Sequence, residues 1–328
     1  MRPTRQATLP NGVTAWGMSS SKYVLEAVSN VEKYLQKNRP DLKLPKKAAT
    51  PFAKDYRPEL DVTKELGAED ANFYQSQVGI ARWMAELGRI DAITEISMLA
   101  SHLALPREGH LEALLHVMAY MKNKHNARMI FDPTYPEINY EDFKDCDWTN
   151  FYGDVKEPSP LNAPKPLGKP VALRLHVDSD HAGDKLIRRS RTGYQVFMNS
   201  AMVMWQSKRQ ATIETSVFGA EFVAMKHGIE ATRGLRYKLR MMGVEIDGPT
   251  HVCGDNMSVI HNSQRPESTL KKKSNSICYH AVRESVAMQE SLVTHIPTAE
   301  NTADLCAKVL PGGQKRDGLI AKILWDIV

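Results

Sequence analysis

Long apolar runs are missing from this 328-residue sequence, and so is a signal segment, which sets aside membrane-spanning and secreted readings. Cysteine is scarce: Cys146, Cys253, Cys278 and Cys306 form no C-x-x-C pair and no spaced framework. Disulfide scaffolds and zinc ribbons are therefore unsupported, and the expectation is reduced thiols in a reducing compartment. No internal repeat or low-complexity tract occurs. Charge of one sign is also too weak to decide anything alone, since a net charge of +5 permits nucleic acid as a partner without arguing for it. What is present is a globular composition, 42% hydrophobic and 25% charged, over a length that suits two domains.

The first half reads as mainly helical. A strand-like TAWGMS leads to Ser19, Ser20 and Ser21, candidate N-caps. Val24, Ala27, Val28, Val31 and Leu35 then recur at offsets of three and four, which predicts one apolar helix face. Prolines at 40, 45, 51 and 58 break up residues 37–65 and predict an irregular segment draped over a core. A helical block over 69–103, interrupted near 88–91, is closed by Pro106, and the next helix carries a stripe of Leu111, Leu114, Leu115, Met118 and Met121. His110 and His116 resemble a metal pair, but an offset of six puts them on different helix faces, so structural roles are expected. Residues 153–170 hold prolines at 158, 160, 164, 166 and 170, which predicts an extended interdomain linker between domains 1–152 and 171–328.

Beyond the linker the pattern switches to strands. VALRLHVD alternates Val171, Leu173, Leu175 and Val177 on one face, predicting a half-buried strand that ends in an acid. YQVFM and MVMWQ flank Asn199 and Ser200 as a hairpin. A long helix is expected from Ser216 to Met242, with Phe218, Phe222, Met225 and Ile229 inward and Gly243 as its stop. HVCGD is a short buried strand, helices follow over 256–262 and 279–289, LVTHI is a fifth strand, and a last helix over 301–309 is capped by Asn301 or Thr302.

Charged residues gather in this half. Arg188, Arg189 and Arg191 form one basic cluster, Lys208 and Arg209 a second, and Lys271, Lys272 and Lys273 a third. Each is either solvated surface or a grip on phosphates. Four acids fall at element ends, where a sheet could bring them together: Asp178 closes the first strand, Glu221 stands in the first turns of the long helix, Asp255 closes the fourth strand, and Asp304 opens the last helix. Turns and helix N-termini favour acids in any case. Carboxylates sharing a cleft repel one another unless cations are bound, and hard oxygen ligands select magnesium or manganese over zinc. Two such ions about 4 Å apart can activate a water and stabilise the leaving oxygen in phosphodiester hydrolysis.

The blocks HVDSDHAG, RRSRTGY, WQSKRQATIETSVFGAEFVAM, CGDNMSVI, LKKKSNSICYHAVRESVA and ENTADL resemble, in order and spacing, the signatures of the ribonuclease H domain of copia-type retrotransposon polymerase polyproteins. The stretch YQSQVGIARWMAELGRIDAITEISMLASHLALPREGHLEALLHVMAYMK is similar to the part of those polyproteins between the polymerase palm and the ribonuclease H, so the resemblance runs from about Trp16 to Lys308. It implies an α/β fold, a ribonuclease H-like mixed five-stranded sheet with flanking helices, preceded by a mainly helical thumb or connection segment of the reverse transcriptase.

The resemblance further implies catalytic and metal-holding roles for Asp178, Glu221, Asp255 and Asp304, with two Mg2+ ions for which Mn2+ can substitute. Asp180 is the alternative to Asp178, and Glu214 reads as surface or a supporting acid. The implied reaction is endonucleolytic cleavage of the RNA strand of an RNA/DNA hybrid, with the basic clusters on phosphates and no membrane partner. Ser274 stands where the family often has histidine, and Cys306 and Ala307 precede Lys308 where it often has threonine. No paired-aspartate polymerase motif occurs, so DNA synthesis is not expected of this chain alone, and palm and fingers of the polymerase are expected partners. Cytoplasm, in a virus-like particle, and nucleus both stay open as locations. Two competing readings are a non-catalytic remnant that only binds nucleic acid, and a DNA-cutting integrase-like enzyme. The latter requires a long final spacing that the GDN and ADL blocks do not fit.

Overall fold

The computed structural model describes residues 5–9, 12–138, 146–270 and 273–327. The chain divides into two units, Met1–Phe131 with Asp184–Ile187 and Val309–Val328, and Asp132–Gly183 with Arg188–Lys308.

The first unit opens with an antiparallel hairpin, β1 (Arg5–Thr8) and β2 (Thr14–Ser19). Helix α1 (Ser21–Asn38) follows and buries Val24, Ala27, Val28, Val31 and Leu35, the stripe its spacing predicts. Of the three candidate caps, Ser20 holds the cap position without a side-chain bond, while Ser19 Oγ accepts from the Ser21 amide at 3.2 Å. The proline-broken stretch carries Ala48, Phe52 and Pro58 inward. Helix α2 (Ala68–Glu86) ends before Gly88, whose φ of +99° makes the turn to α3 (Ile93–Leu99) at low cost. Helix α4 (Glu108–Asn123) buries the predicted leucine and methionine stripe. Its histidines are structural, as their spacing indicates: His110 meets the Pro58 carbonyl at 2.9 Å and His116 the Pro51 carbonyl at 3.0 Å. Strand β3 (Arg128–Phe131) pairs with β2.

The second unit comprises α5 (Thr149–Tyr152), β4 (Leu173–Asp180), β5 (Arg191–Met198), β6 (Ala201–Arg209), α6 (Val217–Met241), β7 (Thr250–Gly254), α7 (Met257–Gln264), α8 (Ser276–Ala287), β8 (Ser291–His295) and α9 (Asp304–Ala307). Its sheet runs β6-β5-β4-β7-β8, antiparallel through the first three strands and parallel from β4 to β7 to β8. This is the mixed five-stranded sheet that the sequence resemblance implies. Asn199, at φ +54°, makes the predicted hairpin turn, and the Ser216 hydroxyl caps α6 by accepting from Gly219 N at 3.2 Å.

Strand β4 is buried on both faces. Leu175 and Val177 pack into a core with Phe222, Met225 and Ile229 of α6, while His176 and Asp178 on the other face meet Thr302 and Lys308, which flank α9. The half-buried strand expected from alternation is therefore corrected, because α9 covers what one-faced patterning leaves to solvent. Close approach explains two glycines of this unit. A Cβ on Gly193 would lie 2.6 Å from Ala307 N and 2.8 Å from Ala303 O, and one on Gly228 would lie 2.9 Å from Leu175 and Val177 side-chain carbons.

The proline-rich stretch is not a free spacer. Both oxygens of Glu157 accept bonds of 2.5 to 2.7 Å from the guanidinium groups of Arg236 and Arg240 on α6. The Leu167 and Val171 amides donate to Gly243 and Glu245 carbonyls. The predicted boundaries shift accordingly: residues 132–152 group with the sheet of the second unit, and residues 309–328 with the first. The chain's end returns as α10 (Gln314–Ala321) and β9 (Leu324–Trp325), the latter paired with β3 to give the order β1-β2-β3-β9. Arg316 of α10 is buried against the Tyr120 hydroxyl and the Asp91 carbonyl, next to the buried Arg89–Asp91 ion pair.

Candidate active site

Strand register places the acids. Asp178 sits near the end of β4 opposite Gly193, Asp255 follows the end of the neighbouring β7, and Asp304 starts α9, which packs on β5 at Gly193. Asn301 fixes that last element: its side-chain amide donates to the Val177 carbonyl at 2.8 Å and its oxygen accepts from Ala303 N. The helix expected over 301–309 is shorter, Asp304–Ala307, because Asn301 and Thr302 are spent binding β4 through Val177 and His176.

Asp178, Asp255 and Asp304 each offer an oxygen lying within 4.8 Å of the other two. Asp178 and Asp304 are wholly buried, and Asp255 is half-buried and accepts from the Thr298 hydroxyl at 2.9 Å. Glu221 stands outside this triple but faces it, on the first turns of α6, and is 6% exposed. Burial, then the charge of Glu221, drives the Asp178 carboxyl well above the usual carboxylate range, with Asp304 adding to it and Lys308 opposing. Burial and the charge of Asp255 push Glu221 up to about 8.

Lys308 is the residue that sequence reading passed over. Its ammonium donates to Asp178 Oδ1 and Asp304 Oδ1, both at 2.8 Å. Burial opposes its charge, but Asp178 and Asp304 outweigh that and raise it above an ordinary lysine. The available signal was its place four residues after Asp304, one turn on, where a cation pairs with a carboxylate.

Oxygen is the sole donor type in this cluster, and the second oxygen of Asp178 is buried with no hydrogen-bond partner. A buried carboxylate oxygen left bare costs free energy that a coordinated hard cation recovers, so the residues fit a hard divalent cation. Asp180 is turned to a tight turn, its carbonyl accepting from Gly183 N, and Glu214 holds Asn275 at 2.7 Å beside the start of α6, which fits a supporting acid.

The basic residues divide. Arg191 is buried, with Nη1 donating to Ser207, a strand contact. Exposed Arg188 and half-buried Arg189 precede β5, and Lys208 and Arg209 end β6 opposite the β5 start, so both clusters lie at the sheet end that carries Asp178. Lys273 is exposed two residues before Asn275. Lys271 and Lys272 lie outside the described residues. None of the four cysteines is in a disulfide.

No family model matches the chain. It is 22% identical over 297 residues to the retrovirus-related Pol polyprotein from transposon RE1 of Arabidopsis thaliana, covering 90% of this chain and 17% of that protein. With the corresponding polyprotein from transposon TNT 1-94 of Nicotiana tabacum it shares 24% over 286 residues, 85% of this chain and 19% of the relative. The chain thus spans under a fifth of the length of these relatives. Among solved structures, the N-terminal RNase H domain of a Mycobacterium tuberculosis protein aligns with 46% of this chain and 96% of its own, at TM-score 0.31 and 14% identity. Across about nine-tenths of its length, this chain is thus similar to retrovirus-related Pol polyproteins from plant transposons.

Proposed function

We propose that the chain is a divalent-metal-dependent ribonuclease H that cuts the RNA strand of an RNA/DNA hybrid endonucleolytically. The observation that carries this reading is the triple of aspartate oxygens within 4.8 Å of one another, two of the three side chains fully buried, with a lysine ammonium set between them. Folding two like-charged carboxylates into one dry site is costly, and it persists where charge must be held for chemistry. Asp178, Asp255 and Asp304 would hold the cation, with Glu221 completing the set. Bound there, the metal supplies a water activated at neutral pH and a counter-charge for the leaving oxygen.

The protein's own part is positional. Asn301 anchors α9 to β4 and so holds Asp304 against Asp178, Thr298 orients Asp255, and Lys308 keeps the two buried acids from repelling one another. The basic residues at the same sheet end, Arg188, Arg189, Lys208 and Arg209, would take phosphates of the substrate. Selection of RNA requires contact with a 2′-hydroxyl, and in the cell a polymerase palm and fingers would be the partners.

The test is incubation of the full chain with labelled RNA/DNA hybrid and magnesium beside Asp255→Asn. Cleavage of the RNA strand only, lost in the variant and with chelator, supports the reading. A well-folded chain that binds hybrid and leaves it intact would make it a non-catalytic binding module.

A further inference from the structure

The same unit holds a cavity built from residues outside the aspartate cluster. A cavity of about 580 Å3 opens between α5 and the start of α8, lined by Phe151, Tyr152, Thr269, Lys273, Tyr279 and His280 among others. Its rings are already set edge on. The Tyr152 hydroxyl meets His280 Nδ1 at 2.8 Å, and the Tyr279 and His280 rings stand at 90° with centroids 5.1 Å apart. Phe151 is 52% exposed, and His280 and Lys273 also face solvent.

Below them Arg283 is rigid. Its guanidinium lies 4.9 Å from the Trp148 ring and 4.7 Å from the Tyr279 ring, and donates to the Asn262, Arg265 and Pro266 carbonyls. Among the described residues no carboxylate lines the cavity, and Glu284 acts on Tyr152 from outside the lining. An apolar peptide would leave Lys273 and the Tyr152–His280 pair uncompensated. A chain of planar bases on phosphates matches both the rings and the charge.

We propose that this groove binds unpaired nucleotides, stacking bases on Phe151 and His280 while Lys273 takes a backbone phosphate. The groove adjoins the catalytic end: Asn275, two residues after Lys273, bonds Glu214 and packs on Gly219, two residues before Glu221. A single-stranded tail leaving a hybrid held at the aspartates would therefore find the groove next in line. This inference rests on the proposal that the chain engages hybrids, and it assigns the tail a separate seat.

The experiment measures binding of the full chain, by fluorescence anisotropy in calcium to prevent turnover, to three labelled ligands. These are a blunt RNA/DNA hybrid, the same hybrid with a ten-nucleotide single-stranded tail, and that tail made abasic. Wild type should bind the tailed hybrid on the order of tenfold tighter than the blunt one, and the abasic tail should lose most of that gain. Phe151→Ala with His280→Ala should erase the gain and leave blunt-hybrid binding and its cleavage unchanged. Lys273→Glu alone should reduce it. Equal affinity for tailed and blunt hybrids in wild type, a gain kept by the double variant, or a gain kept by the abasic tail would each overturn the proposal. Absence of blunt-hybrid cleavage with the tail-dependent gain intact would count against the nuclease reading alone.

Discussion

Burial of Glu221 beside Asp255 has a thermodynamic signature that can be read without substrate. The carboxyl rises from an ordinary 4.5 to about 8, so between those values the folded chain binds a proton that the unfolded chain has released. Stability must then fall as pH rises through that window, the reverse of the usual carboxylate behaviour. The full shift corresponds to at most about 5 kcal/mol, and Asp178, raised in the same sense, adds to the slope. Calorimetry of the metal-free chain in chelator should show the melting temperature of the sheet-bearing unit lower by roughly 10 °C at pH 8 than at pH 5. Glu221→Gln, which cannot ionise, should flatten that difference by half or more. Magnesium at pH 8 should restore what ionisation removes, because it binds only the folded, charged cluster. Equal melting temperatures at the two pH values in chelator, or an undiminished slope in Glu221→Gln, would refute the reasoning.

Other perturbations follow from single contacts. Lys308→Met removes two charge-assisted bonds between buried acids and should cost about 3 kcal/mol without metal, with less loss at pH 5 than at pH 8, seen in denaturant melts. Gly193→Ala forces a methyl against the α9 backbone at 2.6 to 2.8 Å, and should cost about 2 to 3 kcal/mol and abolish cleavage through displacement of Asp304. Glu157→Gln weakens the clamp on Arg236 and Arg240, and should make residues 153–170 cut sooner in limited proteolysis while leaving magnesium affinity by titration calorimetry unchanged.

Local grammar carried much of the fold. The α1 stripe, the α6 cap at Ser216, the Asn199 hairpin and the order of strands and helices in the second unit all follow from spacing that acts over a few residues. The four acids were visible because each ends or starts an element. Long-range contacts were not visible. Lys308 looked like the tail of a helix until α9 was laid across β4, and Glu157 looked like a charge in a linker until two arginines on the far end of α6 closed on it. The half-buried reading of β4 failed for the same reason, since alternation reports one packed face and is blind to a second cover that arrives 126 residues later through Thr302. The groove at α8 joins Phe151 to His280, and no periodicity links them.

The pairing of β9 with β3 sets an order of events during synthesis. Arg128 and Met129 wait for Trp325 and Leu324, and Asp91 and Tyr120 wait for Arg316, so nearly 200 residues must leave the ribosome before the first unit is whole. At about 5 to 20 residues per second that is ten seconds or more with an open sheet edge and a buried cluster lacking one of its arginines. The second unit draws every strand of its sheet from between those points and can be complete first. The middle of this chain is thus placed to fold before its beginning, and a nascent chain halted near Lys308 would carry a finished sheet bearing the acids beside a first unit still waiting for its last strand.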